Sequence, residues 1–182
     1  MVMVAEPGDI APEFELDNAH PLVGSERMSL SDVLTDSGAI IAFSCLHCPY
    51  VVGSVGRIND IHAKAIAAGL GFVAINSNAA NPNYESDSAE KTREACEKGT
   101  PYAYLIDEDQ SVATAYGAER TPEFYLLDGS ATIVYRGRLD DSPRDPAHAT
   151  TSELADAIDA IVAGSSPKNK RTLSIGCSIK WI

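Results

Sequence analysis

Ala39-Ile40-Ile41-Ala42-Phe43-Ser44-Cys45-Leu46-His47-Cys48-Pro49 is the stretch from which the rest of the chain is read. The unbroken apolar run 39–43 shows no alternation, the pattern of a strand buried on both faces. Proline favours the first helical position, which makes Cys48 the N-cap and leaves Cys45 in the preceding loop. The alternative register starts the helix at Cys45; it ends the strand abruptly and places Pro49 where it restricts Cys48. Val51, Val55, Ile58 and Ala65 then fall at helical spacing and Gly69 offers a stop. Gly71–Asn76 is a second buried strand, so the segment reads as a parallel strand–helix–strand unit with a right-handed crossover.

Further along, residues 77–87 are rich in turn formers and predict a loop at the carboxyl end of that strand. A helix follows over about Ser88–Lys98, closed by Gly99, then a strand at Tyr102–Ile106 and a short helix at Gln110–Tyr116 closed by Gly117. Glu123–Leu127 and Thr132–Arg138 form an antiparallel pair around Asp128-Gly129-Ser130. Thr150 and Glu153 have capping-box spacing before a helix with Leu154, Ala157, Ile158 and Ile161 on one face, ended by Gly164. The last segment, 165–182, starts polar and basic but carries Cys177 and the only tryptophan, Trp181. It is expected to dock as a C-terminal tail on a single domain spanning 1–182. The predicted class is α/β: a central mixed sheet flanked by helices, with an N-terminal extension.

Acidic residues outnumber basic ones by 26 to 14, a formal charge of -12. Such a surface repels phosphate backbones and anionic lipid, which argues against nucleic acid and membrane partners. No apolar run approaches the roughly 18 residues of a spanning helix. Met1–Asp9 lacks a secretory pattern, so a cytoplasmic location is expected. Two readings of the acidity stand side by side, an ordinary solvated face and adaptation to high salt, the latter suggested by only six lysines.

Cysteines occur at 45, 48, 96 and 177. In a reducing compartment they point to thiol chemistry or metal binding rather than a structural framework. Cys45 and Cys48 have the spacing to close a disulfide across one turn, and a thiolate there feels the positive end of the helix dipole. Cys48 is the better activated candidate. His47 can lower a neighbouring thiol's pKa as a cation or stabilise the thiolate by hydrogen bonding. The competing readings are two small buried hydrophobes and a tetrahedral site of Cys45, His47, Cys48 and Cys177. Against that site, adjacent His47 and Cys48 are strained as co-ligands, so no metal is expected. Covalent haem is excluded because Pro49 follows Cys48. Cys96 is read as structural and His62 as a partly buried packing residue. Asp140 and Asp141 are read as a solvated turn, and Asn76 and Asn78 as weak candidates for ligand contact.

The cysteine pair after a buried strand, with Thr121-Pro122 opening a later strand, resembles the thioredoxin superfamily. The resemblance places a cis proline, Pro122, opposite the reactive cysteine. More narrowly, Phe43–Val51, Asn76-Ser77-Asn78, Arg136–Ser142 and Gly176–Trp181 are similar to peroxiredoxin-like proteins grouped with alkyl hydroperoxide reductase and thiol-specific antioxidant. The likeness runs from Pro7-Gly8 through Pro12-Glu13-Phe14 to the tail. It implies an oxidoreductase in which Cys48 attacks a disulfide or peroxide substrate and Cys45 or Cys177 closes the intermediate. Electrons would come from a thiol reductant such as a thioredoxin or a small thiol. No cofactor is implied, and a homodimer is the candidate assembly. Thr121, His47 and Arg120 would line the groove with Pro122; Arg120 either supplies a cation beside the thiol or is a surface residue. One departure is clear: peroxiredoxins carry a proline and a hydroxyl residue seven and three positions before the peroxidatic cysteine. Here those places hold Ile41 and Cys45 counted from Cys48, or Gly38 and Ala42 counted from Cys45. The alternatives from other classes are a non-catalytic redox-sensing or binding module and a thiolate metal carrier.

Overall fold

The structure is a computed structural model that describes residues 4–182; residues 1–3, the start of the segment read for a secretory pattern, lie outside the described residues. The strand read from the opening stretch is β3 (Ala39–Phe43), and all of it is buried. It pairs in parallel with β4 (Gly71–Asn76), which pairs in parallel with β5 (Ala103–Ile106). On its other side β3 meets β7 (Glu123–Leu127) antiparallel, and β7 meets β8 (Ile133–Gly137). An N-terminal hairpin, β1 (Glu15–Asn18) and β2 (Arg27–Ser29), extends the far edge antiparallel to β5. The order is β2-β1-β5-β4-β3-β7-β8, a seven-stranded mixed sheet. The hairpin has no counterpart in the sequence reading, because its strands are short and carry no apolar alternation long enough to detect.

Alternation along β3 divides the core. Ile40 and Ala42 join the cluster under α3 (Val55–Ala67) and α6 (Glu153–Val162), with Ile58, Ile61, Leu154 and Ile158. Ala39, Ile41 and Phe43 face the opposite cluster, with Leu30 and Val33 of α1 (Leu30–Val33) and Val112, Ala113 and Tyr116 of α5 (Ser111–Tyr116). The helix expected over about Ser88–Lys98 is α4 (Ala89–Glu97), with Ser88 as its N-cap, whose hydroxyl accepts from the Lys91 amide. No helix among the described residues is long and apolar enough to cross a membrane.

Several expectations are corrected. The helix after the cysteine pair is broken: α2 (Pro49–Val52) ends before Gly53-Ser54, and α3 restarts at Val55. A Cβ on Gly53 would lie 2.9 Å from Arg144 backbone, so the 143–144 loop packs into the break. The Ser54 hydroxyl turns back to the Tyr50 carbonyl at 2.6 Å. The Thr150–Glu153 capping box does not form; Ser152 is the N-cap of α6, while the Thr150 amide donates to Asp141 at 2.8 Å. Asp140 is buried rather than solvated and is paired with Arg57, whose guanidinium also donates to the Ser142 and Pro143 carbonyls. The tail docks, but through Ile179, which is buried, while Trp181 stays half exposed.

The largest fully buried side chain is Arg136 on β8, and it is paired with the equally buried Glu123 at 2.9 Å. The same guanidinium donates to Glu6 and to the Ala5 and Gly117 carbonyls. Removing one member of such a pair leaves the other buried and uncompensated. Arg136→Ala is therefore expected to lower unfolding stability by about 3–5 kcal/mol. The double variant Glu123→Gln/Arg136→Met should recover part of that loss, both measured by urea denaturation.

Candidate functional site

The carboxyl ends of β3, β4 and β5 point to one edge of the sheet, and the start of β7 meets the end of β3 there: Phe43 stands opposite Glu123. The chain immediately before Glu123 is β6 (Arg120–Thr121) and Pro122, and the Thr121–Pro122 bond is cis. This brings Thr121 against the loop that carries the cysteines. The Cys45 sulfur lies 3.2 Å from the Thr121 hydroxyl, and the Cys48 sulfur lies 3.2 Å from the Thr121 carbonyl oxygen.

Cys48 is the N-cap of α2 with Pro49 at the first helical position, the register favoured from the sequence. Its side chain is fully buried, and its pKa is lowered to about 4. The largest cause is the hydrogen bond from the Cys45 thiol, followed by the amide and thiol of Cys177 and the amide of Val51, with burial opposing. Cys45 moves the other way, pushed up by its bond to Cys48, by burial and by the charge of Asp87. The split has a plain physical origin: Cys48 sits at a helix N-terminus among donors, and Cys45 faces a buried carboxylate. Cys177 is half-buried, with its pKa raised by burial and by hydrogen bonding to Cys48. The structure thus brings three of the four cysteines together and leaves the fourth, Cys96, buried on α4.

Asp87, which the sequence reading passed over, organises the cysteine loop. It is fully buried at the end of the 77–87 segment. One oxygen accepts the Leu46 and His47 amides at 2.9 and 3.0 Å. The other takes the Asn78 side-chain amide at 2.8 Å and His47 Nδ1 at 2.5 Å. Asn76 donates to the Asp87 backbone carbonyl at 2.7 Å. Asn76 and Asn78 are therefore buried supports of this carboxylate rather than open ligand contacts. His47 turns its ring to Asp87 and packs on Tyr84, with ring centroids 5.1 Å apart. No local signal marks Asp87 in the sequence, since the cysteine-loop residues it holds, Leu46 and His47, lie 41 and 40 residues away.

Donor atoms of Cys45, His47 and Asp87 lie within 4.8 Å of one another, the geometry of a candidate metal cluster. Asp87 already accepts four hydrogen bonds, its full capacity, and Cys48 and Cys177 meet on the Thr121 side. The donor set does not fit a metal without dismantling the loop it holds.

The tail completes the site. β9 (Cys177–Ser178) pairs antiparallel with β6, Cys177 opposite Thr121 and Ser178 opposite Arg120. Arg120 is exposed and donates to the Gly176 carbonyl at 2.9 Å; its charge bears on Cys177, lowering it, rather than on Cys48. Glu123 holds the same edge from behind, accepting the Glu119 and Arg120 amides at 2.9 and 3.3 Å. A cavity of about 360 Å³ opens on the other side of the pair, walled by Cys45, Leu46, Val51, Tyr102 and Tyr104. Cys45 lines this cavity and Cys48 does not; the sulfurs of both lie 3.2 Å from Thr121, Cys45 from its hydroxyl and Cys48 from its carbonyl.

No curated protein matches the chain. A structure from Geobacillus kaustophilus, described as an uncharacterized conserved protein, is 38% identical with a TM-score of 0.87, covering 100% of this chain and 94% of that one. A hypothetical protein from Sinorhizobium meliloti 1021 is 32% identical with a TM-score of 0.85, over 99% and 97% of the two chains. Peroxidoxin BcpB from Mycobacterium tuberculosis shares the fold at 17% identity, with a TM-score of 0.58 over 88% and 97%. The sequence pattern of the Redoxin family matches residues 6–158. A match over so much of the chain, on a thioredoxin-like sheet with its thiols at the carboxyl edge, places the protein in the Redoxin family, as a peroxiredoxin-like member of the thioredoxin superfamily.

Proposed function

We propose that the protein is a thiol oxidoreductase in which Cys48 is the nucleophile. The observation that carries this reading is the position of Cys48: an N-cap thiol, lowered to about 4, that shares Thr121 with two further cysteines, Cys45 against its hydroxyl and Cys177 opposite it in the strand pair. A depressed pKa keeps the reactive thiolate populated at neutral pH. With a disulfide, the Cys48 thiolate attacks one sulfur, releases the other as a thiolate and forms a mixed disulfide; a second thiolate then attacks Cys48 and frees the substrate. With a hydroperoxide, the thiolate takes the terminal oxygen to become a sulfenic acid, releasing the alcohol or water once a proton is supplied. A second thiol then condenses with it and releases water. Cys45 and Cys177 are the two candidates for that second thiol. A thiol reductant, a thioredoxin or a small thiol, returns the pair to the reduced state.

Disulfide exchange is the leading reaction. The position three residues before Cys48, where peroxiredoxins carry a hydroxyl, holds Cys45, and the nearby Thr121 hydroxyl is engaged by the Cys45 thiol. Pro122 and Thr121 form the groove wall, His47 and Asp87 hold the loop, and Arg120 holds the tail.

Counting free thiols by alkylation and mass spectrometry, before and after one equivalent of oxidant, tests the reading. Loss of two thiols, one of them Cys48, is the expected result, and Cys48→Ser should abolish it. Four thiols alkylated equally before and after oxidant would overturn it. The pH profile is a second check. Alkylation of Cys48 should stay level between about pH 6 and 8, where an ordinary thiol gains roughly tenfold per unit. Asp87→Asn replaces one acceptor oxygen by a donor and removes the charge that raises Cys45. It is expected to cost about 1–3 kcal/mol. It should also bring the alkylation pH profiles of Cys45 and Cys48 closer together.

A further inference from the structure

The C-terminal segment lies along the active edge as an extended peptide. Beyond the Cys177–Thr121 and Ser178–Arg120 pairs, the Ile179 amide donates to the Glu119 carbonyl at 3.0 Å and the Lys180 amide to Asn78 at 2.9 Å. Gln110 donates to the Lys180 carbonyl at 2.9 Å and accepts the Ile182 amide at 3.0 Å. Asn81 donates to the Lys180 and Trp181 carbonyls. Nearly all of these bonds go to the tail's main chain, so the groove recognises an extended backbone rather than a particular side-chain sequence. The segment sets Cys177 opposite Thr121, whose carbonyl lies 3.2 Å from the Cys48 sulfur, and Cys48 is fully buried there. The fit is close: a Cβ on Gly176 would lie 2.1 Å from the Thr121 carbonyl oxygen.

Resting on the thiol-exchange reading above, the geometry points to a division of labour between the two resolving thiols, set by what occupies this groove. The main-chain edge of Thr121 can pair with one strand at a time. A substrate that is an extended cysteine-bearing protein segment takes the place of β9, and Cys177 leaves with the tail. Its mixed disulfide with Cys48 is then resolved by Cys45, which approaches from the loop side and does not use the groove. Cys45 loses a proton, bonds to Cys48, and the substrate departs as a thiolate. A small oxidant such as hydrogen peroxide needs only a transient opening and does not hold the groove. The tail returns over the Cys48 sulfenic acid, and Cys177 condenses with it, forming the Cys48–Cys177 disulfide and water. The tail is thus both a stand-in for a protein substrate and the carrier of the peroxide-resolving thiol.

Two measurements on the full chain test this. In the reduced protein, Cys48 alkylation by iodoacetamide is compared between wild type and Gly176→Ala, which crowds the tail out of register without touching any thiol. The variant should raise the Cys48 rate roughly tenfold or more while the far-ultraviolet circular dichroism of the folded sheet and helices is retained; an unchanged rate would show that the tail does not guard Cys48. The second measurement maps the first disulfide formed after rapid acid quench. Hydrogen peroxide should yield Cys48–Cys177. A disulfide-linked dimer of a synthetic peptide covering residues 174–182 should yield Cys45–Cys48. The same disulfide from both oxidants overturns the division of labour. If neither oxidant consumes Cys48, the thiol-exchange reading itself fails, and the alkylation comparison still decides whether the tail occupies the groove.

Discussion

The buried pair of Glu123 and Arg136 is the interaction on which the rest of the site leans. Glu123 begins β7 directly after Pro122, so its carboxylate lies behind the active edge. With one oxygen it accepts Arg136 and with the other the amides of Glu119 and Arg120, the segment that the tail uses as its pairing edge. Arg136 in turn fastens the N-terminal segment through Ala5 and Glu6 and the end of α5 through Gly117, and its main chain pairs with Lys170 and Thr172 at the start of the tail. A guanidinium has five fixed donors and cannot be left unpaired inside a core, so every segment that supplies an acceptor is drawn to it.

A second buried charge, Asp87, holds the other wall. It fixes the cysteine loop by two amides and orients His47, and its charge adds to a rise in Cys45 that comes first from the bond to Cys48 and then from burial. Cys48, farther round at the helix N-terminus, is lowered. The cysteine loop and the edge that pairs with the tail are therefore each held by a buried carboxylate, Asp87 and Glu123, neither of which hydrogen-bonds the Cys48 sulfur. Between these walls the tail lies as an antiparallel strand, held through its backbone by the side-chain amides of Asn81 and Gln110.

Much of the fold was legible because it is written in local pattern. The apolar runs at 39–43, 71–76 and 123–127 are buried strands, the glycines at 69, 99 and 117 follow helix ends, and Pro49 announces Cys48 as an N-cap. Where local pattern misled, a distant partner had intervened. Thr150 and Glu153 have the right spacing to cap a helix, but Asp141 takes the threonine and Arg138 takes the glutamate. Asp140 reads as a polar turn residue until Arg57 closes over it from another helix.

The chain by itself determined the order of its main strands and helices from 39 to 164, the thiol pair at a strand-to-helix junction, the proline at 122 and a C-terminal tail that carries Cys177. Each of these depends on residue type and on neighbours within a few positions, which is all that propensity and spacing encode. Tertiary structure decided that Cys177 rather than Cys96 meets Cys48, that His47 serves Asp87, that Arg120 holds the tail and that the asparagines at 76 and 78 are buried supports. Those assignments follow from hydrogen-bond satisfaction across segments up to 102 residues apart, as between Asn78 and Lys180, and nothing in the chain's local chemistry records which buried donor will find which acceptor.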